Sequence, residues 1–288
     1  MSIITISRGC FSHGKEVAEK VAGLLGYKAL SRETLIEEAN QIYHVPEKDL
    51  IKSIHDAPSV LDRLTRGRER YLSYIQAVLL THVKNDDLVY HGHGSHLLLP
   101  SISHVFNVRI IADMADRIAF MQQNRNISQK EAMHYIAAED THRARWAHYL
   151  YKIDITDPFL YDMVLNIKNL NIDEAGRIIG HAAEMNAFQA TAESRQAVMD
   201  LALSTRVKAA IESTCKPDLK VSVTAKKGSV HIRAETTNIR KTGYTNAKTD
   251  TYVKETMKQE ITDEIAAAIA EITDIKNVVY EVYPPSYT

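Results

Sequence analysis

Residues 3–26 read IITISRGCFSHGKEVAEKVAGLLG, and this stretch decides the fold of the chain. Its β-branched start, Ile3–Ile6, predicts a buried strand. Apolar residues then recur from Val17 to Leu25 at positions i, i+4, i+7 and i+8, which form one face of a helix, and Gly26 is a typical helix end. The stretch therefore predicts a strand, a glycine-containing loop and a helix.

The loop in this stretch, GCFSHGKE, has the spacing G-x-x-x-x-G-K of a phosphate-binding loop. Backbone N–H groups of such a loop and the N-terminus of the following helix form a positive cradle for phosphate oxygens. We expect Gly9 and Gly14 to permit the required backbone conformations and Lys15 to reach the β- and γ-phosphates. The alternative is a tight strand-to-helix turn with an exposed lysine. The candidate phosphate-binding residues are Gly9, Ser12, His13, Gly14, Lys15 and Glu16.

Glu16 stands where phosphate-binding loops usually have Ser or Thr, whose hydroxyl binds Mg²⁺. A carboxylate can also bind Mg²⁺, although its charge repels phosphate. The alternative role is structural, because the helix dipole favours acidic residues in a first turn. No other protein ligand for a metal is predicted from this segment.

Length and composition indicate an ordinary globular protein. The chain has 288 residues, which predicts two domains, and 45% of them are hydrophobic and 25% charged. A formal net charge of −1 gives no reason to expect a nucleic-acid partner. The two cysteines lie far apart in sequence, and the chain shows neither a signal-peptide pattern nor an apolar run long enough to span a membrane. We therefore expect a cytoplasmic protein.

Strand and helix patterns alternate along the first part of the chain. Strands are predicted at 88–90, 105–112 and 162–165, and helices at 33–84 (with breaks at Pro46 and Pro58), 128–150 and 171–188. Ser128 with Glu131, and Asn171 with Glu174, have the spacing of N-terminal capping boxes. The alternation predicts a parallel α/β sheet covered by helices on both faces, in a domain of residues 1–188.

Residues 189–288 have a different pattern. A helical stretch at 189–217 precedes two alternating segments, KVSVTA at 220–225 and SVHIRAET at 229–236, which predict a hairpin. A helix through residues 253–269 and a strand at 277–283 follow. The order α-β-β-α-β predicts a small α+β domain.

Two polar clusters have more than one interpretation. His91, His93 and His96 could surround Zn²⁺, but a solvated or phosphate-contacting cluster at the end of a strand is favoured, because ligands bind at that edge of open α/β sheets. The basic run RLTRGRER at 63–70 is interpreted as a solvated helix face, with a phosphate contact as the alternative.

The segment ITISRGCFSHGKEVAEKVAGLLGYKALSRETL resembles the opening of the cytidylate kinase-like family, a branch of the P-loop nucleoside monophosphate kinases. LVYHGHGSHLLL at 88–99 and AEDTHRARWAHYLYKIDITDPFLYDMVLNIKNLNIDEAGRII at 138–179 resemble later segments of that family in order. The resemblance implies a P-loop kinase fold that binds ATP with Mg²⁺, and it makes Glu16 an ordinary feature of the branch.

The same resemblance implies that two lid arginines, Arg143 and Arg145, stabilise charge on the transferring phosphoryl group, beside Lys15. The alternative is an i,i+3 ion pair between Asp140 and Arg143, with Arg145 solvated on a helix face. Candidate acceptor-site residues are Ser31, Arg32 and His93. Three of the family's usual residues are replaced: Ser31 stands for Asp, His93 for Arg, and Gly94 for the Asp of cytidylate kinases.

The C-terminal pattern KVSVTAKKGSVHIRA, a later helix and the ending NVVYEV resemble a BON domain, which implies binding of phospholipid or another ligand. Docking or oligomerisation is the alternative role for this module. Two hypotheses follow for the whole protein. In the first it is a kinase acting on a nucleoside monophosphate or similar small acceptor, and in the second it is a degenerate kinase fold that senses a nucleotide and signals through the C-terminal module, whose ligand or protein partner is open.

Overall fold

The computed structural model describes residues 2–55, 67–215, 219–236 and 247–283. Its larger sheet has five parallel strands in the order β2-β3-β1-β4-β5. The strands are β1 (Ile3–Arg8), β2 (Lys28–Ser31), β3 (Leu88–Gly92), β4 (Val105–Ile111) and β5 (Met163–Asn166). The predicted parallel α/β sheet is confirmed. The short edge strand β2 was not predicted, because KALS has one buried residue, Leu30, and no alternation.

Helices cover both faces of this sheet. They are α1 (Gly14–Leu25), α2 (Arg32–Tyr43), α3 (Glu47–His55), α4 (Gly67–Val83), α5 (Met114–Asn124), α6 (Gln129–Tyr151) and α7 (Ile172–Ala183). Successive side chains of a strand point to opposite faces, so Ile4 and Ile6 pack in one core with α1 and α7, whereas Ile3 belongs to a second core with α2 and α4. Because both faces are covered, five successive residues of β1 are buried, and three of the first four are isoleucine.

The predicted helix boundaries are mostly confirmed. The Ser128 and Asn171 capping boxes have both of their hydrogen bonds, and Gly26 ends α1 in the left-handed conformation with φ 70°. Helix α7 ends at Ala183 rather than near 188, because a 3₁₀ turn there brings Phe188 against Phe106, with the ring centroids 4.3 Å apart. The predicted break at Pro46 separates α2 from α3, and Pro58 lies outside the described residues.

The C-terminal region forms a separate small sheet in the predicted α-β-β-α-β order. Its elements are α8 (Ala192–Thr214), β6 (Leu219–Lys226), β7 (Ser229–Thr236), α9 (Ala247–Ile269) and β8 (Asn277–Tyr283). Strand β7 is central, antiparallel to β6 and parallel to β8. Within the part of the chain that the structure describes, no helix is long and apolar enough to cross a membrane.

Helix α8 contributes to two cores. Val198 and Ala202 pack into the core of the larger sheet, whereas Val207 and Ile211 pack under the small sheet. Further along α8, Glu212 accepts a hydrogen bond from Ser73 of α4. The two units therefore share a helix, and the division into domains 1–188 and 189–288 stays a prediction.

Candidate functional site

The glycine-containing loop between β1 and α1 is closed against the end of β4. The N–H of Gly9 donates to the carbonyl of Ile110 at 3.3 Å. The buried hydroxyl of Ser12 lies 3.0 Å from the carbonyl of Gly9 and 3.2 Å from that of Ile110. The Ser12 side chain therefore stabilises the conformation of the loop, and the backbone of the loop remains available to bind a ligand.

Two residues of the loop adopt positive φ angles, and neither is a glycine. Phe11 has φ 55° and His13 has φ 62°, a conformation that costs an L-residue roughly 1–2 kcal/mol. Ring packing on α5 and α6 compensates this cost: Phe11 lies 6.1 Å from Phe120 and 6.3 Å from Tyr135, and the His13 ring lies 4.0 Å from Phe120. The loop is thus attached to α5 and α6 through its own side chains.

The expected role of the two loop glycines therefore needs correction. Neither Gly9 nor Gly14 has a positive φ, so neither supplies a left-handed conformation. Gly14 is needed for another reason, because a Cβ there would lie 2.4 Å from the Cβ of Arg8. The first turn of α1 consequently packs directly on the stem of an arginine at the end of β1.

Lys15 and Glu16 occupy the first turn of α1. The Lys15 side chain is 57% exposed and its Nζ lies 3.8 Å from Glu19. Glu16 is half-buried, and its charge acts on the guanidinium of Arg8. The Lys15 ammonium is therefore exposed, and its charge also acts on the ring of His91.

Next to the loop lies a cavity of about 140 Å³ at the carboxyl edge of the sheet. Its polar lining residues are Ser7, Arg8, Ser12, His93, Arg109, Arg117, Asp140, Arg143 and Thr156. Among the described residues, four arginines thus line the cavity with one aspartate. Burial lowers the pKa of Arg8, and the nearby positive charges of Arg143 and Arg32 lower it further. The electrostatics of the cavity favour an anion.

Arg117 on α5 joins α6 to the glycine-containing loop. Its Nη1 and Nη2 each lie 2.8 Å from an oxygen of Asp140, and its Nε donates to the carbonyl of Cys10 at 2.6 Å. Arg143 donates to the carbonyl of Arg8 at 3.2 Å and lies 3.8 Å from Glu139.

The alternative pairing of the lid residues is therefore wrong, because Asp140 pairs with Arg117 rather than with Arg143. Arg145 is exposed on α6, as that alternative expected, and does not line the cavity. The structure brings Arg143 to the phosphate loop and leaves Arg145 away from it.

Sequence reasoning missed three arginines of the cavity: Arg8, Arg109 and Arg117. Arg109 donates from β4 to the carbonyl of Ile155 and to the hydroxyl of Tyr161, the latter at 3.3 Å, and so holds the segment after α6 against the sheet. The sequence did contain a signal for Arg109, because a charged residue within the otherwise mainly apolar segment VFNVRII is unusual. Arg117 has no comparable signal, since it lies on an ordinary amphipathic helix.

The acceptor-site candidates Ser31 and Arg32 lie at the same edge of the sheet. The Ser31 hydroxyl caps α2 by accepting the Thr34 N–H at 3.1 Å. Arg32 is mostly buried and its Nη2 lies 2.9 Å from Glu33. Gly92 of β3 permits this position, because a Cβ on Gly92 would lie 3.0 Å from the Cβ of Arg32.

His91, His93 and His96 are all buried, so a solvated cluster is ruled out, whereas the alternative of a phosphate-contacting cluster stays a prediction. Burial lowers the pKa of His91 and of His96 to about 4, and the charges of Arg8 and Arg109 respectively add to the effect. Both rings are therefore neutral near pH 7. Among the residues that the structure describes, no group of three or more His, Cys, Asp or Glu could hold a metal ion.

Trp146 fixes the position of the loop after β3. The His93 ring lies 4.9 Å from the Trp146 ring, and His93 lines the arginine cavity. Gly94 has φ 63°, and a Cβ there would lie 3.0 Å from Trp146. The aspartate of cytidylate kinases would therefore be strained at position 94 in this chain.

The basic run is only partly described. Arg63 and Arg66 lie outside the described residues, and so does the side chain of Arg68. Arg70 is half-buried on α4 and donates to the hydroxyl of Tyr74 at 2.6 Å, so this member of the run is not on a solvated face.

One family model matches more than half of the chain. The model of the cytidylate kinase-like family matches residues 3–169. No curated protein matches the chain. Among solved structures, an uncharacterized protein from Eubacterium ventriosum has 17% identity and a TM-score of 0.49, over 64% of this chain and 98% of that one. A shikimate kinase from Bacteroides thetaiotaomicron has 11% identity and a TM-score of 0.40, over 64% and 99% of the two chains. A shikimate kinase from Acinetobacter baumannii has 13% identity and a TM-score of 0.37, over 66% and 96%.

Proposed function

Because the chain belongs to the cytidylate kinase-like family, we propose that it transfers a phosphoryl group from ATP, with Mg²⁺, to a nucleoside monophosphate of the CMP type or to another small acceptor. Membership in this family supports a nucleotide-dependent phosphotransferase in general. The observation that carries the proposal is the cavity beside the phosphate loop, where Arg8, Arg109, Arg117 and Arg143 converge.

Convergent arginines suit phosphoryl transfer, because this reaction depends mainly on positioning and on stabilising charge spread over the equatorial phosphate oxygens. Guanidinium groups bind two oxygens at once and keep their charge at any physiological pH. Arg143 contacts the carbonyl of Arg8 at the start of the loop, and this contact supports a role for Arg143 at the transferring group. Arg145 is exposed, and its predicted role requires α6 to move.

On the donor side, the loop amides and the N-terminus of α1 would hold the β- and γ-phosphates of ATP. Lys15 would turn from its position near Glu19 towards the γ-phosphate. Glu16 is the candidate protein ligand for Mg²⁺, and one carboxylate with substrate phosphates is a donor set that Mg²⁺ commonly takes. The metal ion, when bound, would neutralise charge on these phosphates.

On the acceptor side, Arg32 would supply the charge, whereas His93 would contribute an imidazole ring and Ser31 a hydroxyl. These replacements leave the choice between CMP and another small acceptor to experiment. The proposal places the reaction in the cytoplasm, where ATP and such acceptors are available.

The second candidate function is a nucleotide sensor that signals through the C-terminal unit, which we propose to be BON-like. A groove of about 470 Å³ favours it, because the groove lies between α2 and α4 on one side and α8 and α9 on the other. Tyr43, Ala77, Ala202, Arg206 and Ile272 are among its lining residues. A small ligand or a protein segment bound there would touch both units.

Incubation with ATP, Mg²⁺ and a panel of nucleoside monophosphates separates the two functions. A kinase forms ADP only when its acceptor is present, and Lys15→Ala should reduce that rate by roughly 100-fold, the effect of losing one stabilising group of a transition state. Lys20→Ala is the matched control, since Lys20 lies further along α1 in an ion pair with Asp173. Tight ATP binding without turnover for any acceptor would favour the sensor, and absence of nucleotide binding would refute both.

A further inference from the structure

Asp140 is the carboxylate that faces the four arginines of the cavity. Its side chain is 39% exposed, whereas that of its partner Arg117 is 10% exposed. Solvent, and therefore a dissolved anion, can reach the carboxylate of this pair. If the Asp140 carboxylate moves away, the same position gives a dissolved anion access to the buried guanidinium of Arg117.

While Asp140 is in place, the Nε, Nη1 and Nη2 atoms of Arg117 all donate hydrogen bonds within the protein. The end of its fork holds both oxygens of Asp140 at 2.8 Å, and its Nε holds the Cys10 carbonyl at 2.6 Å. A phosphate group binds an arginine through the same pair of parallel N–H bonds as a carboxylate. Arg117 consequently cannot bind a phosphate through both Nη1 and Nη2 until the Asp140 carboxylate moves away.

From this geometry, and on the basis of the proposed function, we propose that Asp140 is a built-in placeholder for a substrate phosphate. In the free protein it neutralises Arg117 and keeps the guanidinium fork oriented towards the cavity. When a phosphorylated substrate enters, Arg117 exchanges the carboxylate for two phosphate oxygens, and Asp140 turns towards solvent. Asp140 is thus a positioning residue that acts through Arg117.

The exchange would change how α5, α6 and the loop are linked, because the two partners lie on different helices. Asp140 is on α6, whereas Arg117 is on α5 and bonds the phosphate loop at Cys10. Arg143, one turn after Asp140, bonds the loop at Arg8. Replacing the carboxylate by a phosphate would join Arg117 and Arg143 through the ligand instead of through the protein.

A placeholder competes with the ligand, so its removal has a distinctive consequence. Asp140→Asn keeps the size of the side chain and one acceptor oxygen but removes the charge. We expect this variant to bind inorganic phosphate and ATP about 10-fold more tightly than the wild type, the gain expected from removing a charged competitor. A merely structural ion pair predicts weaker binding.

Binding is measured on the full chain by isothermal calorimetry with inorganic phosphate and with ATP. Trp146 offers a second signal, because it is the single tryptophan, lies buried on α6 and contacts His93. Asp173→Asn is the matched control, since Asp173 is 59% exposed and pairs with Lys20 on the surface. It should leave both affinities unchanged.

Asp140→Ser is tested in parallel in case the asparagine variant does not fold. Tighter phosphate binding by either folded variant supports the placeholder. Equal or weaker binding by folded variants overturns it. Failure of both variants to fold even with saturating phosphate also overturns it, because phosphate should then replace the carboxylate on Arg117 and stabilise the fold. If the wild type binds and the variants bind less tightly, only this inference fails. If neither the wild type nor the variants bind phosphate or ATP, the proposed function fails as well.

Discussion

Gly14→Ala tests the close packing between the first turn of α1 and β1. A Cβ at this position would lie 2.4 Å from the Cβ and 2.8 Å from the Cδ of Arg8. Non-bonded carbon atoms attract best at about 3.5–4.0 Å, so both contacts are repulsive. The Arg8 Cβ is fixed by the backbone of β1, and rotation of the Arg8 side chain cannot relieve the shorter contact. Helix α1 must therefore move away from β1.

The magnitude follows from two opposing effects. Overpacking of this kind costs about 1–3 kcal/mol. Alanine is a better helix former than glycine by up to about 1 kcal/mol, and the φ of Gly14 is not in the left-handed region, so no backbone strain is added. We expect a net loss of roughly 1–2 kcal/mol in the free energy of unfolding. The melting temperature should fall by about 2–4 °C per kcal/mol.

Gly9→Ala is the matched control in the same loop. Its Cβ would lie 3.5 Å from the Ser12 hydroxyl, an ordinary van der Waals contact, and its φ is also outside the left-handed region. Its stability should stay within about 0.5 kcal/mol of the wild type. Urea unfolding, followed by Trp146 fluorescence, measures both variants without ligand. Equal stability of the two alanine variants would refute the argument that Arg8 restricts position 14.

Two further predictions concern pH and the cap of α2. Burial lowers the pKa of His91 and His96 to about 4 from the ordinary value of about 6.5, so the unfolded chain binds more protons between these values and stability falls as the pH drops through this window. Urea unfolding at several pH values should show this slope, and His96→Gln should flatten it; an unchanged slope would contradict the assignment. Ser31→Ala removes the cap of α2 and should cost about 1 kcal/mol in urea unfolding, whereas Ser31→Asp keeps a capping oxygen and should be nearly neutral. A Ser31→Ala variant as stable as the wild type would show that the cap contributes little. If position 31 also contacts the acceptor, Ser31→Asp should raise acceptor-dependent ADP formation.

Local patterns in the sequence were sufficient for most of the fold. The β-branched run at Ile3–Ile6, the helical spacing after Val17 and the capping boxes at Ser128 and Asn171 each depend on residues that are close in sequence, and all appear in the structure. The α-β-β-α-β order after residue 189 was predictable for the same reason. Strand β2 was not, because pairing with β3 rather than its own alternation makes it a strand.

The candidate site depended on the tertiary structure. Arg117 meets Asp140, 23 residues away, and the carbonyl of Cys10, 107 residues away, and no periodicity relates these positions. The left-handed φ of His13 is maintained by a ring on a different helix, and the neutral state of His91 by burial beneath neighbouring elements.

The sequence by itself thus determined the strand, the phosphate-type loop, the helix and the family resemblance, because hydrogen bonding and apolar periodicity within an element are local. Only the tertiary structure decided which arginines converge on the cavity, which carboxylate they meet and which histidines lose their charge. Partner choice and desolvation depend on which distant segments are brought together at the carboxyl edge of the sheet, and that information is held by the packing of the whole chain.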